Sequence, residues 1–238
     1  MSTTEVHTVL VCLPDTPEPR HTDPRATVQA ATSHLANVGV IAEGVMPHFT
    51  PRRTGGLRGM LRTRQLIDTW QDTTAGGPIQ LLDLTAMRLR AQAQAATQWL
   101  IWHHTVAGTK PAQPFWAFAQ RHHDDPTGYP LAKAQQQYRA QPRVQAMTAF
   151  NALPDRPCDL PTDCLEAFQA GQNTFALLAW LTAVPADGVA TTTMSAHGGW
   201  LTPATGRLED QLAYLRDANA YLERLPRDTT VVAMATTA

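Results

Sequence analysis

Five arginines and three glycines fall within residues 49–64, FTPRRTGGLRGMLRTR, of a 238-residue chain whose net charge is −1. Arg52, Arg53, Arg58, Arg62 and Arg64 give this window a charge of +5, and no acidic residue follows until Asp68. Guanidinium forks bind phosphate oxygens two at a time, and glycines such as Gly55 and Gly56 let backbone N–H groups come close to an anion. The chemistry this combination offers is the binding of a phosphate-bearing ligand, with Arg52, Arg53, Gly55, Gly56, Arg58, Arg62 and Arg64 as the ligand-binding residues. The segment is not a P-loop, because the Lys-Ser/Thr that ends one is missing. In an extended conformation Arg58, Arg62 and Arg64 would share one face. The competing reading is a solvated basic loop, neutralised from within by the second half of the chain, where residues 121–238 hold nine basic and twelve acidic side chains.

Two histidine pairs raise a metal hypothesis. His103 and His104 stand in WHHTV, and His122, His123, Asp124 and Asp125 in QRHHDD. Imidazole nitrogen and carboxylate oxygen suit a divalent ion and, with it, a metal-dependent hydrolase. Spacing argues the other way. Adjacent histidines on a helix diverge by about 100°, and neither pair has the i, i+4 arrangement of a zinc helix. A site built from His103, His104, His122, His123 and Asp125 would need the two pairs to meet across residues 105–114; otherwise they are helix-end residues near a C-terminal dipole.

Nothing else in the chain spells out catalysis. Gly-x-Ser-x-Gly, His-Glu-x-x-His and Cys-x-x-Cys are all missing. Cys12 lies in an apolar run where a thiol is inert packing, and Cys158 and Cys164 flank a proline-rich turn. His197 sits in the turn-forming AHGGW. No catalytic residue and no cofactor is assigned, and the reading leans away from an enzyme.

The elements that must hold these residues follow from periodicity. VHTVLVCL at 6–13 is β-branched and apolar and reads as a buried strand closed by Pro14. Asp23 and Pro24 begin a helix in which Val28, Ala31, Leu35 and Val38 recur at helical spacing until Gly39. VGVIAEGVM fits a second strand, whereas LRTRQLIDTWQ shows no assignable period. QLLDL at 80–84 is either a short extended piece or the entry to the next helix. The longest helix signal runs from about Thr85 to Val106, with Gly108 as its stop. Proline-bounded short helices follow. A further helix, capped at Thr162 or Asp163, is expected to continue through Gly171 to Leu181. MSAHGGWLTPA reads as a hairpin, Leu208–Leu225 as the last helix, and TTVVAMATTA as a strand that inserts beside the N-terminal one.

The expected fold is therefore α+β: a small mixed sheet formed from both chain termini, packed against a largely helical middle at about 85–183, in one domain over 1–238. With 43% hydrophobic and 16% charged residues the chain is globular. Near-neutral charge excludes a surface devoted wholly to nucleic acid. The few cysteines point to a reducing cytoplasm. No membrane-spanning or signal segment is evident, since the N-terminus carries Glu5 where a signal peptide is positive.

Four short stretches, HTVLV near the start, GGLRGML, AQPRVQAM and LPRDTTVVAMATTA at the end, resemble a family of uncharacterised proteins from actinobacterial phages and their hosts. The resemblance implies a phage or mobile-element origin and no particular reaction. Members of that family tend to carry Gly-Gly-Arg-Trp where this chain has Gly55, Gly56, Leu57 and Arg58. They also tend to close on Asp-Cys-His, where Ala235, Thr236 and Thr237 stand here. The expectation is a non-enzymatic protein that grips a nucleotide or nucleic acid through residues 52–64. The alternatives are the metal-dependent hydrolase and a protein that docks on a host partner through a helical face; the sequence leaves the oligomeric state open.

Overall fold

The computed structural model describes residues 6–13, 23–37, 39–52, 64–195 and 198–237. Its contacts divide into two compact units, one of residues 1–89, 181–204 and 210–238, the other of residues 90–180 and 205–209.

The first unit is built on a mixed sheet to which both ends of the chain contribute, as the α+β expectation required. Among the described residues its strands are β1 (Val6–Leu13), β2 (Ala42–Val45), β3 (Ile67–Trp70), β4 (Thr73–Pro78), β5 (Gly188–Ser195), β6 (Gly198–Leu201) and β7 (Thr230–Thr237). They lie in the order β3-β4-β7-β1-β5-β6, with β2 also paired to β7. The C-terminal β7 runs antiparallel to β1 along its whole length, from Val6 opposite Thr237 to Leu13 opposite Thr230. β1 and β5 are parallel, which places the strand after the helical stretch next to the first strand of the chain.

Alternation along β1 sends its side chains to two faces. Val9, Val11 and Leu13 pack with Val232, Met234 and Ala190 under helix α1 (Pro24–Ala36), whose Ala31 and Leu35 are fully buried. Helix α1 starts as its sequence requires, with Asp23 accepting from the Arg25 N–H and proline in the first turn. On the other face Cys12 is fully buried near Tyr221 of helix α8 (Leu208–Arg224). The Tyr221 hydroxyl accepts the Thr192 N–H at 2.8 Å, tying α8 to β5. Arg88, near the start of helix α2 (Leu84–Thr105), is buried. It donates to Asn219 Oδ1 at 2.6 Å and to Glu223 at 3.3 Å on α8.

Strand β4 has no counterpart in the sequence expectations, because TTAGGP carries two glycines and a proline and reads as a breaker. Both glycines have a use. A Cβ on Gly76 would collide with the Val231 carbonyl oxygen and lie 2.9 Å from Val232 Cα, and Gly77 has φ +146°. Only glycine lets β4 come this close to β7.

The second unit holds helices and no strand among the described residues. These are most of α2, then α3 (Phe115–Asp124), α4 (Leu131–Arg139), α5 (Pro142–Asn151), α6 (Leu165–Gln169) and α7 (Gln172–Thr182). One expectation is corrected here. The single helix foreseen through Leu181 is two, because Gly171 takes φ +103° and breaks the helical run between Gln169 and Gln172. Aromatic rings fill the core: Trp102 stacks on Phe168 at 5.2 Å between centroids and Phe168 on Phe175 at 4.0 Å. Among the described residues no helix is long and apolar enough to cross a membrane.

Candidate functional site

The described residues on either side of the arginine segment are anchored to the sheet. On the incoming side Phe49 exchanges both backbone hydrogen bonds with Thr74 of β4, at 2.8 and 2.9 Å. Pro51 bridges to Leu82, and the Arg52 N–H donates to the Leu81 carbonyl at 2.7 Å. The Asp83 N–H returns a bond to the Thr50 carbonyl, also at 2.7 Å. On the outgoing side Arg64 and Gln65 form a turn, Leu66 and Ile67 are buried, and Ile67 pairs with Gly76. Both feet are thus fastened to β4 and the short 3₁₀ turn that follows it, Ile79–Leu81.

Arg52 and Arg64, the two arginines at these feet, are exposed, and neither joins an ion pair with the described residues. Arg53, Gly55, Gly56, Arg58 and Arg62 lie outside the described residues. Asp83, whose N–H bonds Thr50 at the incoming foot, uses its side chain elsewhere: Oδ1 accepts the Ala86 N–H at 3.0 Å as α2 begins.

The histidines do not come together. His103 stacks on Trp99 at 4.9 Å between ring centroids, and its ring lies 6.0 Å from that of His104 at a nearly perpendicular angle. Both end α2, as His122 and His123 end α3. His122 Nδ1 donates to the Tyr129 carbonyl at 3.0 Å, and Asp125 Oδ1 accepts the Gly128 N–H at 2.8 Å. These groups close the turn after α3. Among the described residues no three His, Cys, Asp or Glu side chains are grouped as a metal ion would require.

The cysteines offer no thiolate. Burial pushes the thiols of Cys12 and Cys164 up to about 12, and burial with the neighbouring Asp159 raises that of Cys158.

Two concavities in the helical unit had no sequence signal, because their walls come from several separate segments. The larger, about 600 Å³, is floored by Tyr138 and Val144 and rimmed by Arg139. The smaller, about 320 Å³, is lined by Trp99, Trp102, His103, Thr109, Arg143 and Gln169, among others. In the smaller one Arg143 is fixed by donating to Thr109 Oγ1, the Thr109 carbonyl and Gln169 Oε1 at 3.1, 2.9 and 2.8 Å. Gln169 is held in turn by the N–H and carbonyl of Ala112.

Comparison of the chain with protein-family models, with curated proteins and with solved structures finds no match to any of them.

Proposed function

We propose that this protein binds a phosphate-bearing ligand, a nucleotide or a stretch of nucleic acid, through residues 52–64 and performs no chemistry on it. The observation that carries the reading is a +5 segment whose two terminal arginines, Arg52 and Arg64, stand exposed on anchored feet without an ion-pair partner among the described residues. A segment fastened at both ends loses less conformational freedom on gripping a ligand than a free tail would, so more of its electrostatic gain appears as affinity. The rest of the chain is net negative, with 14 basic and 20 acidic residues once the five arginines are set aside, which confines the attraction for an anion to this segment. The sequence likeness to phage-borne proteins is in keeping with a mobile-element protein that meets nucleic acid.

The test compares wild type with Arg58→Ala/Arg62→Ala and with Arg52→Ala/Arg64→Ala, titrated by fluorescence anisotropy against a labelled single-stranded oligonucleotide and a labelled nucleoside triphosphate. Each pair of substitutions should weaken binding at low salt, with the urea midpoint of each variant measured alongside to show that the fold is intact. Equal binding by all three proteins, or no binding by wild type, removes the reading.

A further inference from the structure

We propose, resting on the reading above, that the ligand is single-stranded nucleic acid and that Trp70 selects it by stacking on a base. Trp70 is 67% exposed and is the one aromatic among the exposed large apolar side chains of the described residues. Its ring meets no other ring and no cation among those residues. The backbone beneath it is well fixed. Trp70 pairs with Thr73, whose hydroxyl donates to the Trp70 carbonyl at 2.9 Å. Thr74 Oγ1 donates to the Ile67 carbonyl at 2.5 Å and accepts the Gly76 N–H at 3.3 Å. An indole held out in water on a pinned hairpin loses little freedom when a flat partner covers it, and the cover removes apolar area from water.

The hairpin that carries Trp70 also meets both feet of the arginine segment. Thr74 lies between Phe49 on one side and Thr69 on the other. With neighbouring strands about 4.8 Å apart, the incoming foot passes about 10 Å from the residue next to Trp70. On the outgoing side β3 begins three residues after Arg64 and runs about 10 Å from Ile67 to Trp70. Arg52 and Arg64 are exposed and form no ion pair with the described residues. Asp68 and Asp72 stand exposed on either side of Trp70. Their carboxylates repel phosphate from the tip, so the charged backbone of the ligand belongs at the arginine end. What suits the indole is an uncharged base with a π-face.

This division of labour names the class of ligand. In a duplex the bases are stacked between their neighbours, and an indole reaches a base face only where the strand is unpaired. In a mononucleotide base and phosphates form one short unit, whereas here the stacking surface and the cations are set apart by the length of β3. A ligand that uses both therefore runs over several nucleotides. A purely apolar partner would cover Trp70 and leave Arg52 and Arg64 without a use.

Fluorescence anisotropy at fixed low salt tests the proposal with a labelled thymidine oligonucleotide, the same strand annealed to its complement, and labelled thymidine triphosphate. Wild type should bind the single strand tightest of the three. Trp70→Ala should weaken the single strand about tenfold, the worth of one stacked base, with the urea midpoint unchanged. Trp70→Phe should keep most of the affinity and Trp70→Leu should not, because an aromatic face is needed and not merely an apolar one. The slope of log K against log salt should be the same in Trp70→Ala as in wild type, since no phosphate contact is lost. If Trp70→Ala does not fold, the comparison of Trp70→Leu with Trp70→Phe decides. Salt-sensitive binding that Trp70→Ala and Trp70→Leu leave undiminished, or duplex or triphosphate bound as tightly as single strand, would overturn the stacking proposal while the phosphate-binding reading stands. No binding of any of the three by wild type would remove both.

Discussion

Gly76 of β4 lies so close to Val231 of β7 that there is no room for a side chain: a Cβ there would run into the Val231 carbonyl oxygen. This contact holds the hairpin to which the outgoing foot of the arginine segment is attached, since Ile67 pairs with Gly76. Gly76→Ala should therefore cost about 3 kcal/mol of stability, the upper end for overpacking, because the obstacle is backbone and cannot rotate away. Urea denaturation measures it, and a loss below about 0.5 kcal/mol, as for an ordinary surface change, would mean that β4 and β7 are not in this register.

His48 is half-buried and donates from Nε2 to the Val184 carbonyl at 2.9 Å. Burial lowers its pKa below the ordinary 6.5, the carbonyl and Asp187 offsetting only part of that. Below about 6.5 the unfolded chain takes up a proton that the folded protein resists. His48 thus contributes its full stability above the unfolded value and loses it progressively as pH falls through the window between 6.5 and the lower folded value. Urea midpoints from pH 8 to pH 5 should drop less steeply for His48→Gln than for wild type. Parallel curves would show that His48 is solvated in the folded state.

Asn219 joins three elements. It accepts from Arg88 and donates to the carbonyls of Leu181 and Leu215 at 2.9 and 2.7 Å. Asn219→Ala removes an acceptor from a buried guanidinium and a donor from two carbonyls, so a loss of about 3 kcal/mol is expected. Asn219→Asp should recover part of it, since it restores the acceptor facing Arg88. Denaturation of both variants checks the order, and a harmless Asn219→Ala would contradict the network.

Cys12 should be shielded from thiol reagents until the sheet opens, being fully buried with its thiol held protonated. Its labelling rate in the native protein should follow global unfolding as urea is raised. Rapid labelling in buffer alone would place β1 at an open edge instead of between β5 and β7.

The sequence was legible where one periodicity ran uninterrupted. Val6–Leu13, the helix opened by Asp23 and Pro24, the long helix ended before Gly108, and the pairing of the last strand with the first all follow from local pattern and from the need to bury an apolar terminus. It misled where glycine had a tertiary role. Gly76 and Gly77 look like breakers but are what lets β4 lie against β7, and Gly171 looks tolerable in a helix but turns the chain. The Arg143 pocket had no sequence signal at all, because its lining comes from three separate stretches, around Trp102–Thr109, Arg143 and Gln169, that only packing gathers. The arginine segment was the reverse case: its composition could be read at once, and the structure adds how the chain on either side is fastened, at Arg52 and at Ile67.

The measurement that tests the central claim most directly is the salt dependence of binding to a single-stranded oligonucleotide. If all five arginines of residues 52–64 meet phosphates, the slope of log K against log salt should approach about −3.5, so that raising salt from 50 to 200 mM weakens binding roughly 100-fold. Arg58→Ala/Arg62→Ala should make the slope shallower by about 1.4. A wild-type slope near zero, or one that the double substitution leaves unchanged, would contradict the account.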